Sequence, residues 1–333
     1  MKFLVTGATG FIGSNLAARL SDANHDVFGV DNFSNYYAPE LKELRHKNLL
    51  MPREIQIARV DLTDLVHTQK LVADIKPDFI IHLAAQPGVR TPLGKSFQYI
   101  QNNLSAYGNM LQTAVELEIP NFIYASSSSV YGNSTQTPYS ESDLTVRPIS
   151  IYGATKLANE ILTTPYVRGS KTRARGLRFF TVYGPWGRPD MAYFRIINSI
   201  LNKGNFNKFG DGNVKRDFTY VDDITRGIEK LAIELSSKDK GYSDVVNIGG
   251  GKPHSLNDLI DTTSKLLGSE LTISMLGKNP NDTAYTCADV TKFQEITGTT
   301  PKVSLEEGIS ETIKWATRQD IYPHIQKWVE STN

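Results

Sequence analysis

Short apolar runs separated by amphipathic stretches set the rhythm of the first half of the chain. Phe3–Thr6, Val27–Asp31, Ile55–Asp61, Phe79–Ala85, Phe122–Ser126 and Gly176–Phe180 are runs of this kind. Their apolar character is continuous rather than alternating, the pattern of strands buried on both faces in a parallel sheet. Between them, Gly13–Ala23, Leu65–Ile75, Ser105–Leu117 and Tyr152–Leu162 carry apolar residues at helical spacing. Such alternation predicts an α/β fold built on a doubly wound parallel sheet. Past residue 180 the texture changes: Gly184–Pro189, Gly204–Val214, Gly249–Pro253 and Gly277–Asn281 are loops rich in Gly and Pro. Short strands are expected there at Val245–Ile248 and Leu271–Met275. We therefore expect one domain over residues 1–180 and a smaller C-terminal α/β part over 181–333 that closes on it, with some segments returning to the first. Pro165 should end or kink the helix that begins at Tyr152.

Composition narrows the class. A length of 333 residues suits about two domains. With 40% hydrophobic and 21% charged residues the chain is globular rather than disordered. Lys and Arg (36) nearly balance Asp and Glu (35), so no global field favours nucleic acid or an anionic membrane. Cys287 is the single cysteine, which excludes an internal disulfide and thiolate-clustered metal sites. The six histidines show no ligand-like spacing, so no metal is expected. No apolar run approaches the roughly 20 residues that span a bilayer. Met1–Val5 begins like a signal peptide, but Thr6, Gly7, Thr9 and Gly10 interrupt it. The expected setting is soluble, reducing and cytoplasmic, without nucleic-acid or membrane partners.

The first chemical signal is Gly7-Ala8-Thr9-Gly10-Phe11-Ile12-Gly13, between a predicted strand and a predicted helix. Glycines there allow a tight turn and close approach to a pyrophosphate, which the helix N-terminus then attracts. The spacing differs from the commoner Gly-x-Gly-x-x-Gly, and alone it is also the pattern of a plain strand–helix turn. Asp31, at the end of the next strand, supplies context. An acidic residue at that point accepts hydrogen bonds from the adenosine ribose and repels a 2′-phosphate, favouring NAD over NADP. Asp61-Leu62 ends the third run, where Asp61 is either an adenine contact or a helix N-cap near Thr63.

The second signal is Tyr152-Gly153-Ala154-Thr155-Lys156, which puts a phenol and an ammonium on one helical face. A phenol with a pKa near 10 is a weak base at neutral pH; a fixed lysine charge with a positive nicotinamide ring favours the phenolate. The same pattern also describes a surface Tyr–Lys pair. Ser126, Ser127, Ser128 and Ser129 follow an apolar strand, at the sheet edge where open α/β folds bind ligands.

Jointly these elements resemble the extended short-chain dehydrogenase/reductases of the nucleotide-sugar epimerase group. The resemblance rests on the glycine turn, Asp31-Asn32, Asp61-Leu62, His82-Leu83-Ala84-Ala85-Gln86, Asn102-Asn103, the serine run, Tyr152 with Lys156, and Arg216-Asp217-Phe218. It spans residue 3 to about residue 290. It implies a Rossmann-type sheet and a catalytic Ser127, Tyr152 and Lys156. It implies NAD held by Gly7, Gly10, Phe11, Ile12, Gly13, Asp31, Asn32, Ser34, Asn35, Asp61, Leu62, Leu83, Ala84, Ala85, Gln86, Asn102, Tyr152, Lys156 and Phe180. In such relatives the Tyr152 helix helps form a homodimer, whose interface Pro165 would alter here.

Three stretches are similar to UDP-glucuronate 4-epimerases: Asp31–Tyr37 with Leu41-Lys42, Gln86–Arg90, and Leu177–Met191. UDP-glucose 4-epimerases typically carry asparagine where Thr181 stands. The 4,6-dehydratases carry an Asp–Glu pair where this chain has Ser128 and Ser129. A sugar carboxylate needs several fixed donors. Ser128, Ser129 and Thr181 are candidates, together with Ser127 and Tyr152 on the sugar. Arg90, Arg188 and Arg216 suit phosphates or the carboxylate, though each is also the residue of an ordinary ion pair. In Gly277–Asp282 only Asp282 matches the relatives' nucleotide contacts. The expectation is NAD-dependent 4-epimerisation of UDP-glucuronate to UDP-galacturonate through a transient 4-keto sugar. The alternatives are a UDP-glucuronate decarboxylase, a neutral UDP-hexose 4-epimerase and a non-catalytic NAD-binding sensor.

Overall fold

The computed structural model describes residues 1–89, 94, 96–143, 146–277, 283 and 285–330. The first half contains β1 (Lys2–Thr6), α1 (Phe11–Asp22), β2 (Asp26–Val30), α2 (Pro39–Arg45), β3 (Gln56–Ala58), α3 (Leu65–Ile75), β4 (Phe79–His82), α4 (Ser96–Tyr99), α5 (Ala106–Glu116), β5 (Asn121–Ser127), α6 (Ile151–Val167) and β6 (Arg173–Phe179). The second contains β7 (Thr181–Tyr183), α7 (Ala192–Leu201), β8 (Asn205–Phe209), β9 (Lys215–Tyr220), α8 (Val221–Leu235), β10 (Ser243–Ile248), β11 (Pro253–Ser255), α9 (Leu256–Leu267), β12 (Thr272–Leu276), α10 (Thr291–Thr297), α11 (Leu305–Ala316) and α12 (Tyr322–Glu330).

Seven strands pair in parallel in the order β10-β6-β5-β4-β1-β2-β3. Successive side chains explain the unbroken apolar runs. Phe3 and Val5 face a core shared with α1 and α8, while Leu4 faces the opposite core shared with α5. Both faces of β1 are therefore buried. Chain order reverses beside β1, so the ends of β1 and β4 flank the crevice where such sheets hold ligands.

The second part has a three-stranded sheet, β11-β9-β7, and the pair β12-β8. Its core gathers Trp186, Tyr193, Phe194, Leu259, Ile309, Trp315 and Trp328. The boundary at residue 180 is crossed both ways. Val245–Ile248, expected in the second part, lies in β10 and pairs with β6. Conversely, Tyr37, Ala38 and Leu41 pack into the second part's core. The third strand is shorter than the run Ile55–Asp61, because only Gln56–Ala58 meets β2. Helix α6 neither stops nor breaks at Pro165 but continues to Val167. Pro165 sits in the last turn, on an exposed face, so the amide it lacks leaves a carbonyl that water can reach. No helix among the described residues is long and apolar enough to cross a membrane.

Candidate active site

The glycine turn is built for close approach. Gly7 has φ +66°, and a Cβ there would stand 2.9 Å from the Ala84 nitrogen. A Cβ on Gly13 would stand 2.1 Å from the Gly7 carbonyl. Gly10 precedes α1 with no side-chain cap, so the first-turn amides of Phe11, Ile12 and Gly13 point at the turn's mouth. Leu83 and Ala84 line the other side, where Ala84 N–H donates to Thr6 Oγ1 at 3.0 Å and Leu83 N–H to the Thr6 carbonyl at 3.3 Å. Ala85 and Gln86 continue that segment; Gln86 is locked by Asn103, whose amide meets both its N–H (2.7 Å) and its carbonyl (3.1 Å). Asn103 also donates to Thr155 on α6 at 3.1 Å, so it ties the cofactor edge to the Tyr152 helix. Asn102, its half-buried neighbour, sits in the same helical turn.

Asp31 is 7% exposed at the tip of β2. Its two oxygens accept one amide each, from Thr9 (3.1 Å) and Phe33 (2.8 Å), which leaves each oxygen another acceptor site. Lys42 Nζ stands 4.0 Å away and donates to Ser34 Oγ at 2.9 Å. Asn32 and Asn35 are exposed beside it. Asp61 is not the N-cap of α3; Asp64 is, accepting the His67 amide at 3.0 Å. Asp61 instead accepts from Thr63 and from Asn32 Nδ2 at 3.1 Å. Burial pushes its carboxyl up, but these bonds more than offset that and it ends below the usual range. Leu62 beside it is buried.

Ser150 caps α6 by accepting the Gly153 amide at 3.0 Å, which starts the helix one residue before Tyr152. Farther along, Glu160 takes a bidentate Arg178 (3.0 and 2.8 Å) and the Ser126 hydroxyl. This buried group fastens α6 to β5 and β6. Lys156, 2% exposed, donates to the Ala125 carbonyl at 2.9 Å. Burial pushes its ammonium down to about 8. The Tyr152 phenol lies above its ordinary value, because burial outweighs the Ser127 hydrogen bond and the Arg188 charge. Ser127 accepts the Ser129 amide at 3.1 Å, and its register partner on β6 is Phe179. Ser128 and Ser129 are half-buried just beyond it. The Phe180 ring packs with Tyr131 and Tyr139, and its amide donates to Ile248. Thr181 follows, at the start of β7.

Arg188 joins this group electrostatically, acting on both Tyr152 and Tyr36. Burial works against its charge, but Asp190, held through Nε (3.0 Å) and Nη2, more than restores it. Tyr36, raised to about 12 by burial, and Tyr99, whose ring lies 6.4 Å from that of Tyr152, complete the rim. Tyr36 falls within the Asp31–Tyr37 stretch, which does not single it out for the site, and no local pattern points to Tyr99. Arg216 lies on β9, two residues before Phe218, which pairs with Thr181. Its neighbour Asp217 is structural: fully buried, it accepts the amides of Gly250, Gly251 and Ala288 at 2.8–3.0 Å. Arg90 and Asp282 lie outside the described residues. Among the described residues no cluster of three or more His, Cys, Asp or Glu side chains is placed to hold a metal ion.

A doubly wound parallel sheet with a glycine turn, an acidic β2 tip and a Ser–Tyr–Lys group at one edge defines a nucleotide-cofactor enzyme of the short-chain type. The chain belongs to the NAD dependent epimerase/dehydratase family, whose sequence profile matches residues 3–249. It is 36% identical to a probable UDP-glucuronate 4-epimerase of Rhizobium meliloti, over 95% of this chain and 96% of that one. It is 37% identical to UDP-glucuronate 4-epimerase 4 of Arabidopsis thaliana, over 94% of this chain and 74% of that one. Among solved structures, the UDP-glucuronic acid 4-epimerase of Bacillus cereus, in complex with UDP-glucuronic acid and NAD, superposes with a TM-score of 0.87. That protein is 38% identical, over 95% of this chain and 98% of its own.

Proposed function

We propose that the protein interconverts UDP-glucuronate and UDP-galacturonate by inverting C4 of the sugar, with NAD as its resident cofactor. The observation that carries this reading is the group Ser127, Tyr152 and Lys156 on β5 and α6, with Lys156 Nζ anchored on the Ala125 carbonyl and 5.9 Å from the Tyr152 ring centre, in a chain 38% identical to a UDP-glucuronic acid 4-epimerase that binds UDP-glucuronic acid and NAD. The carboxylate carbon, C6, is two bonds from C4, so a base that reaches the 4′-hydroxyl has the carboxylate for a neighbour. The Arg188 guanidinium, whose charge acts on Tyr152, suits an acidic sugar. Asp190 takes the Nε–Nη2 edge of Arg188, which leaves the Nη1 edge for the ligand.

The glycine turn and Asp31 fit a dinucleotide, because a Cβ at Gly7 or Gly13 would fill the cradle and Asp31 keeps acceptor capacity for a ribose. NAD held there by the glycine turn and Asp31 would supply the hydride acceptor and donor for C4. Tyr152 takes the 4′-hydroxyl proton, Ser127 shares it, and Lys156 supplies fixed positive charge that favours the phenolate. Thr181, Ser128 and Ser129 donate to the carboxylate, and Arg216 is assigned to the phosphates. The 4-keto sugar is a β-keto acid, which loses CO₂ when the breaking bond stands perpendicular to the carbonyl. These donors hold the carboxylate away from that orientation. The large sheet is the NAD-binding part and the C-terminal part holds the nucleotide sugar.

A cytoplasmic homodimer belongs to the same reading. The exposed Ile161, Leu162 and Tyr166 on α6 support a shared apolar face, and mass measurement in solution tests it. The function itself is tested by incubating pure protein with UDP-glucuronate and separating the products. UDP-galacturonate is expected; UDP-pentose as the main product would make it a decarboxylase, and no turnover a sensor.

A further inference from the structure

A single buried cation joins the cofactor edge to the second part. Arg45, the last residue of α2, has no exposed surface. Its Nε donates to the Trp186 carbonyl at 2.9 Å, and Nη2 donates to the same carbonyl at 2.7 Å and to that of Gly187 at 3.0 Å. Nη1 donates to the Thr9 carbonyl at 3.1 Å and to the Tyr37 hydroxyl at 2.6 Å. A guanidinium has five N–H donors and no acceptor. All five are spent, four of the bonds on main-chain carbonyls, so Arg45 has nothing left for a ligand and acts through what it holds.

It holds two turns that matter. Thr9 lies inside the glycine turn. Trp186 has φ +63°, a left-handed conformation unfavourable for a bulky residue. Its ring is fixed in the second core against Trp315, with centroids 5.3 Å apart. With the ring anchored and the carbonyl gripped twice by Arg45, the turn has one orientation, and Arg188 leaves it two residues later.

We propose that Arg45 is a positioning residue for the epimerisation: by tying the Trp186–Gly187 turn to the glycine turn, it aims Arg188 at the sugar carboxylate. The proposal rests on the role given to Arg188 above. Lysine keeps the charge but has three donors on one nitrogen and cannot reach the same set of carbonyls.

The test is calorimetric affinity for UDP-glucuronate in a Tyr152→Phe background, which blocks turnover, with the cofactor the protein carries. Arg45→Lys should weaken binding at least tenfold, and Arg188→Lys likewise. Combined, they should bind within about twofold of Arg188→Lys alone, because one acts through the other. Losses that multiply, or unchanged affinity in Arg45→Lys, would overturn the role of Arg45 while leaving that of Arg188 standing. Unchanged affinity in Arg188→Lys would overturn both. Arg175→Lys, at an equally buried arginine held by Asp244 and Glu234, controls for destabilisation: its melting temperature should fall with affinity unchanged. If Arg45→Lys does not fold, Tyr37→Phe removes one of the five bonds. It should weaken binding several-fold, and only when Arg188 is present; equal weakening without Arg188 counts against the proposal.

Discussion

The Nζ of Lys156 stands 5.9 Å from the centre of the Tyr152 ring, one turn along α6, and its ammonium is anchored on the Ala125 carbonyl. Ala125 lies two residues before Ser127 on β5, so strand and helix fix all three groups relative to one another. Tyr152→Phe should keep the fold and the bound cofactor while lowering turnover by about 10²–10⁴-fold, the usual effect of losing a general base. Melting curves and steady-state rates check this; a variant with a tenth of normal turnover contradicts the role.

Lys156 also carries a stability signature. Its folded-state value is pushed down to about 8 by burial, from an ordinary value of 10.5. The unfolded chain therefore binds the proton more tightly, and stability rises with pH between those values. Below about pH 8 the buried charge is a constant penalty. Lys156→Met should therefore melt higher than the parent at pH 7, and that advantage should shrink as pH rises from 8 towards 10.5. Turnover should be lost at every pH. A variant that melts lower throughout would contradict the burial argument.

Asp31 and Lys42 set the cofactor preference together. A 2′-phosphate at Asp31 meets like charge, yet Lys42 Nζ is only 4.0 Å from that carboxylate. Removing the acid should leave Lys42 facing the phosphate unopposed. Asp31→Asn should raise affinity for NADP relative to NAD by about ten- to hundredfold, the range of one charge-assisted hydrogen bond. Lys42→Met added to it should cancel the gain. Calorimetric titration of both dinucleotides checks the pair, and unchanged preference in Asp31→Asn refutes it.

Thr181 is assigned to the carboxylate. Thr181→Ala should slow conversion of UDP-glucuronate by about ten- to hundredfold. It should also raise the share of decarboxylated UDP-4-keto-pentose, with NADH absorbance left in the protein. Slower turnover with an unchanged decarboxylated share would move the restraint to Arg188 and the serines.

Strands β1, β4 and β5 were readable because they are buried on both faces, which writes an unbroken apolar run into the sequence. The same feature hid the placement of Val245–Ile248. An apolar run shows that a strand is buried, but not which sheet it joins, and its partner β6 lies some seventy residues away. The glycine turn, Asp31, the serine run and Tyr152 with Lys156 are local patterns and were legible. Tyr36, Tyr99 and Arg45 reach their places only through tertiary convergence. Arg45 reads locally as one more basic residue on a short helix, and the four groups that accept its five bonds come from three separate segments. Asp61 was ambiguous between an adenine contact and a helix N-cap because a carboxylate at a strand end suits either, and the cap goes to Asp64 instead.

The central claim is that hydrogen leaves C4 and returns to C4 within one closed site. UDP-glucuronate carrying deuterium at C4 tests it directly, with the recovered sugar nucleotides analysed by NMR and mass spectrometry. The account predicts UDP-galacturonate that keeps the deuterium at C4, without exchange into solvent. UDP-galacturonate that has lost it to water would contradict the account.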